Sequence, residues 1–272
     1  MKKILIATDF SNASKNASQY AIELAKISGA KIILYNVYIP HAPINEGIAL
    51  EFVQDKKNRN RQLLESEAVF LRKYGIEVEV LVNESERMSE ILSIEKSRNV
   101  DLVVVGIQES EVLTGFTFAN MITDLIKETI VPLIIIPEKS IFKKIERMAF
   151  AVDFNLETEL EMHKPIKDLL QLFNPQIFIL NVVKENEEIR PDKKVSEHNI
   201  EKYFENIEHI YSFIQHNDVA NGLKEFISQN NIDLITMIPH KHNLFQNIFF
   251  ESKTKQMVFN TKIPLIIFPV SN

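Results

Sequence analysis

DLVVVGIQESEVLTGFTFANMITDLIKETIVPLIIIP, residues 101–137, decides the fold, because the chain repeats its plan at residues 233–269 as DLITMIPHKHNLFQNIFFESKTKQMVFNTKIPLIIFP. Each stretch opens with Asp and an apolar run, passes through a polar loop and a helix, and closes with Pro and a second apolar run. Asp and Pro stand 31 residues apart in both copies, Asp101 to Pro132 and Asp233 to Pro264. Two short buried strands joined by a loop and a helix make one βαβ unit of a parallel sheet. Two such units, 132 residues apart, imply two copies of one domain. The loop after the first strand of such a unit is where these sheets hold ligands. The functional question is what the two loops can bind.

Upstream of the first copy, KILIAT (3–8) reads as a buried strand with Asp9 at its carboxyl end. Ser11 or Asn12 can cap the next helix, whose apolar face carries Ala17, Tyr20, Ala21, Leu24 and Ala25 and which Gly29 ends. KIILYNV (31–37) follows as a strand, then a Pro-containing loop at 38–46, a long charged helix near 48–74, a strand IEVEVLV (76–82) near the sheet edge, and a helix over 86–98. Strands alternate with helices, which is the pattern of an α/β fold with a parallel sheet.

The second half runs through the same elements. RMAFAVDF (147–154) matches KILIATDF, so Asp153 corresponds to Asp9, and QIFILNV (176–182) matches KIILYNV down to the dipeptides Asn36-Val37 and Asn181-Val182. Pro165 is expected to kink or split the helix that holds it. Residues 184–198 are too charged to pack and read as a solvated loop, followed by a helix near 199–209, a strand near 210–216 and a helix near 218–229. The expected domains are 1–139 and 145–272, joined by the charged connector EKSIFKKI (138–145).

Composition excludes several function classes. The 272 residues include no cysteine, which removes disulfides, thiol catalysis and thiolate metal sites. A net charge of −6 offers no general attraction to nucleic acid or an anionic membrane. No apolar run is long enough to span a bilayer. MKKILIATDF opens with two lysines and apolar residues, but its apolar part ends at Asp9, so it reads as a core strand and the expected setting is cytoplasmic.

The residues ATDF at 7–10, the Asn36-Val37 dipeptide and the 101–137 unit together resemble the universal stress protein family, and the resemblance runs through the chain twice. It implies a tandem protein with two open five-stranded parallel sheets of order 3-2-1-4-5, helices on both faces, in the adenine-nucleotide-hydrolase-like (Rossmann-like) class. It also implies pairing of the halves through their last strands, 133–136 and 265–268, with a homodimer as a further option.

Family members that bind ATP carry Gly-x2-Gly-x9-Gly-Ser/Thr after strand four. Bare glycine lets backbone amides approach phosphates, and the helix start adds donors. The pattern falls here on Gly106, Glu109, Ala119 and Asn120, and in the second half on Ile238, Lys241, Glu251 and Ser252, with Thr254 close by. The adenosine end matches better: Asp9 and Val37, then Asp153 and Val182. A carboxylate at Glu109 beside a triphosphate repels it; two unit charges about 4 Å apart at an effective dielectric of about 20 interact by roughly 4 kcal/mol. Asn120 can still donate or cap a helix.

In the second loop, His240, Lys241, His242, Lys253 and Lys255 bracket Ser252 and Thr254, an arrangement that is either an anion site or a solvated basic surface. His240 and His242 point opposite ways on an extended loop and have no evident third ligand, so no metal site is assigned. The default role of Asp9 and Asp153 is structural, accepting amides of the following turn, even if a nucleotide also binds. No catalytic constellation is present. The expected function is therefore a non-enzymatic stress-response binding or regulatory module with degenerate ATP motifs in both halves. The alternative is a sensor that binds adenine nucleotide, ATP or AMP, in one cleft.

Overall fold

The computed structural model describes residues 1–36, 49–82, 89–108, 122, 124–126, 128–152, 164–183, 204, 207–237 and 261–269. It comprises two compact units, Met1–Phe142 and Lys143–Asn272. No helix among the described residues is long and apolar enough to cross a membrane.

The first unit runs β1 (Lys3–Thr8), α1 (Asn12–Ser28), β2 (Lys31–Asn36), α2 (Ala49–Arg72), β3 (Val78–Leu81), α3 (Ser89–Arg98), β4 (Leu102–Ile107) and β5 (Leu133–Pro137). Its strands lie in the order β3-β2-β1-β4-β5, every pairing parallel. The chain steps outward from β1 to β3, then returns to place β4 on the other flank of β1. That reversal opens a crevice beyond the carboxyl ends of β1 and β4. Ile4–Ala7 and Leu102–Val105 are fully buried, as strands covered on both faces require. Ser11 caps α1, its Oγ accepting the Ser14 amide at 3.2 Å, and Gly29 ends the helix in the left-handed region at φ 69°.

The second unit runs β6 (Arg147–Ala151), α4 (Lys164–Phe173), β7 (Gln176–Val183), β8 (His209–Gln215), α5 (Val219–Gln229), β9 (Leu234–Met237) and β10 (Leu265–Ile267). Its own order is β8-β7-β6-β9-β10, again parallel throughout. Pro165 stands in α4, and the residues before Lys164 lie outside the described residues. The start of the connector packs on the first unit. Asn16 Nδ2 donates to the carbonyls of Pro137 and Ser140, both at 2.9 Å, and Phe142 packs edge-on against Tyr20.

The same contacts hold both units together. Asp101 accepts the amides of Lys2 and Lys3 at 2.5 and 2.9 Å, and Asp233 accepts those of Glu146 and Arg147, both at 2.9 Å. Each Asp thus fastens the start of its unit's fourth strand to the start of its first. Lys3 Nζ donates to the Arg98 carbonyl at 2.6 Å and Arg147 to the Asn230 carbonyl at 2.7 Å, each a cation at a helix carboxyl end. Asn99 and Asn231, which follow those helices, both have φ 51°. Thr129 and Thr261 each bridge ahead by two residues, their Oγ1 donating to the carbonyl of Val131 at 2.8 Å and of Ile263 at 2.9 Å.

One core position differs between the units. Val104 lies between Ile6 and Ile134, whereas its counterpart Thr236 lies between Phe150 and Ile266. Thr236 is fully buried, and its Oγ1 has no hydrogen-bond partner. A buried hydroxyl without a partner keeps its full desolvation cost. Thr236→Val, which replaces that oxygen by a methyl of similar shape, is therefore expected to stabilise the second unit by about 1 kcal/mol. Calorimetry reads this as a higher transition temperature, and a lower one would contradict the assignment.

Candidate functional site

The site expected from the sequence lies at the carboxyl end of β1. Asp9 leaves the strand there, and its Oδ1 accepts the Ser11 amide at 3.0 Å. Thr8 Oγ1 accepts the Phe10 amide at 3.1 Å. Phe10 is held at φ 66°, a left-handed conformation that a bulky side chain rarely adopts. Strain of this kind persists only when the surroundings over-determine it. Here the side chains of Thr8, Asp9 and Ser11 each take one amide of the turn or of the first turn of α1. Asp9 therefore has the structural role expected of it by default, and it stays partly exposed at the crevice.

The recurring Asn-Val dipeptide acquires a physical reason. Asn36 Nδ2 donates to the Thr8 carbonyl at 2.9 Å, and Asn181 Nδ2 donates to the Val152 carbonyl at 3.1 Å. Both side chains are buried, and each ties the end of the second strand to the residue just before the expected Asp. Asn60 of α2 completes the first copy by donating to Asn36 Oδ1 at 2.8 Å. The sequence reading chose the valines as contact residues, but the asparagines are the ones that hold the strand ends. Val182 is a strand residue opposite Ile214 in β7 and β8.

Gly106, the one motif glycine present, sits in β4 opposite Ile136. A Cβ built on it would lie 2.2 Å from the carbonyl carbon and oxygen of Ala13 and 2.6 Å from the Ser14 nitrogen. The first turn of α1 rests directly on this strand, so glycine is required by packing whatever the loop beyond it binds.

Asp9, Gly106 and Val182 are thus placed. Val37, Asn120, Asp153, Lys241, Ser252 and Thr254 lie outside the described residues, as do Glu109 and Glu251. Among the described residues there is no group of three or more His, Asp or Glu able to hold a metal ion.

One residue of this neighbourhood escaped the sequence reading. Glu67 of α2 accepts Ser18 Oγ at 2.5 Å, and its Oε2 lies 3.5 Å from Thr8 Oγ1. Burial pushes its carboxyl above the ordinary range and Asp9 adds to this, against the pull of the Ser18 and Thr8 hydroxyls and of Lys15. A signal was available. Asn60, Leu64, Glu67, Ala68 and Leu71 follow helical spacing, and Leu64, Ala68 and Leu71 are fully buried. Two polar residues on an apolar stripe call for partners inside.

Comparison with known proteins follows the same lines. The family model described as "Universal stress protein family" matches residues 1–137. A crystal structure of a universal stress protein from Archaeoglobus fulgidus DSM 4304 superimposes with a TM-score of 0.73 at 16% identity, covering 98% of this chain and 96% of that one. A protein of unknown function from Pseudomonas aeruginosa PAO1 gives 0.56 at 10% identity, covering 99% and 92%. At these identities the likeness shows the fold alone. No curated protein matches the chain.

Proposed function

Since the chain belongs to the universal stress protein family, we propose that it is a non-enzymatic stress-response module that acts by binding or partner contact, with its triphosphate-binding motif lost in both halves. The observation that carries this reading is the fit of Gly106 against Ala13. That contact accounts for the single surviving motif glycine, so its presence is no argument for a phosphate site. The remaining glycine positions of the motif hold Glu109 and Ala119, and Ile238, Lys241 and Glu251, where close backbone approach to phosphate calls for glycine, and Asn120 stands at the Ser/Thr position.

We read the second unit as a second domain of the same family. The recurrence of the Asp101, Lys3, Thr129 and Asn36 contacts at Asp233, Arg147, Thr261 and Asn181 supports this. Pairing of the halves through 133–136 and 265–268 belongs to the same proposal. It would join the two sets of five strands, so that two separate open sheets give way to one continuous sheet. A homodimer and a cytoplasmic setting are further parts of the reading.

Asp9 favours a second reading. It remains partly exposed at the crevice of the first unit, on a turn already formed, so the adenosine end of a nucleotide site is retained there. In that reading one cleft senses ATP or AMP, and AMP avoids part of the repulsion from Glu109. Isothermal titration of the full chain with each nucleotide separates the two. Absence of binding heat supports the first reading, and micromolar affinity for either nucleotide overturns it. Steady phosphate release by pure protein, abolished by changing Asp9 or Asp153, would overturn the non-enzymatic assignment itself.

A further inference from the structure

β8 ends the strand order of the second unit, and its sequence reads almost the same in both directions. HIYSFIQ, residues 209–215, has Ser212 at its centre, Tyr211 and Phe213 on either side, and Ile210 and Ile214 beyond them. It holds no Asp, Glu, Lys or Arg. The outer strand of the first unit is blunted by shortness and charge: β3 has four residues, Glu79 within it pairs with Arg98, and Glu77 just before it pairs with Lys31. β8 has seven residues, with Ile210 42% and Phe213 38% exposed.

The pairing of β8 with β7 fixes which of its groups lie at the rim. The His216 amide donates to the Val183 carbonyl at 2.9 Å, and the strands run parallel in register from Ile177 and His209 to Val183 and Gln215. Residues 210, 212, 214 and 216 therefore turn their backbone groups to β7, and residues 209, 211, 213 and 215 turn theirs outward. The side chains divide the same way. A Cβ on Gly222 of α5 would lie 2.9 Å from His216 Cβ and 3.3 Å from Ile214 Cγ2, which places the even positions on the α5 face. Phe204, His209 and Tyr211 make successive ring contacts on the other face.

We propose that β8 is the contact through which two copies of this chain pair, antiparallel about a twofold axis at Ser212. In this register Ser212 meets Ser212 of the second copy, Tyr211 meets Phe213, Ile210 meets Ile214 and His209 meets Gln215. Every outward residue meets an outward residue, so the backbone groups of the two rims match in direction, and a shift of one residue would break that match. Aromatic side chains face aromatic ones and β-branched face β-branched, pairs that stabilise antiparallel strands. Just beyond the strand Glu208 meets His216, an acid opposite an imidazole, and no like charges face each other. A twofold contact presents one patch on both copies, so it calls for a strand that complements itself when reversed. The inference deepens the homodimer of the proposed reading and does not depend on whether nucleotide binds.

The chain has no cysteine, so single cysteines report the register directly. Opposed residues of a non-hydrogen-bonded antiparallel pair have Cα atoms about 4.5 Å apart, within disulfide reach. Under mild oxidation, full-length Ser212→Cys is expected to form a covalent dimer at least about tenfold faster than Gln215→Cys. Gln215 is the more exposed of the two, but in this register its two copies stand about 20 Å apart. Equal rates, or a faster Gln215→Cys, overturn the proposal. Sedimentation at tens of micromolar is expected to show a wild-type dimer and an Ile210→Lys monomer with unchanged circular dichroism. A wild-type monomer overturns the contact and the homodimer together. A dimer that persists in Ile210→Lys overturns the β8 contact and leaves the homodimer standing. Should Ile210→Lys fail to fold, the two cysteine variants decide.

Discussion

Gly106→Ala is expected to lower the stability of the first unit by about 3 kcal/mol or more, the upper part of the range for overpacking a core. The added methyl would stand 2.2 Å from the Ala13 carbonyl carbon and oxygen and 2.6 Å from the Ser14 nitrogen. All three are backbone atoms, so no side chain can swing away, and relief requires α1 to lift from β4. Lifting α1 also pulls at Ser11 and Ser14, which hold the turn after Asp9. Urea unfolding followed by circular dichroism measures the loss. Gly75→Ala is the control: its Cβ meets nothing within 4 Å, and its φ of 77° imposes backbone strain alone, expected at roughly 1 kcal/mol. A Gly106→Ala protein as stable as that control would mean that packing does not explain the glycine, and a ligand role for it would regain its force.

The second large effect is expected at Asp233. Its side chain takes two amides, Glu146 and Arg147, on one oxygen and Lys143 Nζ at 2.5 Å on the other, with the residue only 8% exposed. Asp233→Ala leaves both amides without their acceptor and is expected to cost about 3 kcal/mol. Lys143 is 62% exposed, so Lys143→Ala is expected to cost well under 1 kcal/mol. Burial works to raise the Asp233 carboxyl, but Lys143 and the two amides outweigh it and hold the group below its ordinary value of 3.8. A depressed carboxyl contributes its stability above the unfolded value and loses it as pH falls through the folded one. The second unit of the wild type should therefore weaken below about pH 4, and Asp233→Asn should weaken it at neutral pH while flattening that acid response. An acid profile unchanged by Asp233→Asn would show that another carboxylate controls it.

Both predictions concern residues that the sequence marked for a different reason. Asp101 and Asp233 stood out because each opens a repeated stretch, yet repetition could not say what a carboxylate does there. Their partners, the amides of residues 2–3 and 146–147, are distant in the chain and become neighbours only when the first and fourth strands pair. Gly106 was read as a phosphate position because motif spacing measures distance along the chain. Its closest neighbour, Ala13, comes from a helix that spacing does not see. Glu67 was passed over inside a helix rich in charge, where one carboxylate resembles another until Leu64, Ala68 and Leu71 mark the buried face. Thr129 and Thr261 were within reach of the sequence, since both stand three residues before the Pro of their repeated stretch.

The order of amino acids was enough for the α/β class, the alternation of strand and helix, the Gly29 end of α1, a cap at Ser11 or Asn12, and the repetition of one plan. These depend on periodicity and on turn chemistry, which act within a few residues. Packing alone decided that Gly106 answers to Ala13, that Asn36 and Asn181 tie strand ends together, that Thr236 is left without a partner, and that Glu67 reaches Thr8 and Ser18. Each of those is a contact between elements far apart in the chain. The side chain's chemistry is written in the sequence, but its effect is set by what the fold brings within a few ångströms of it.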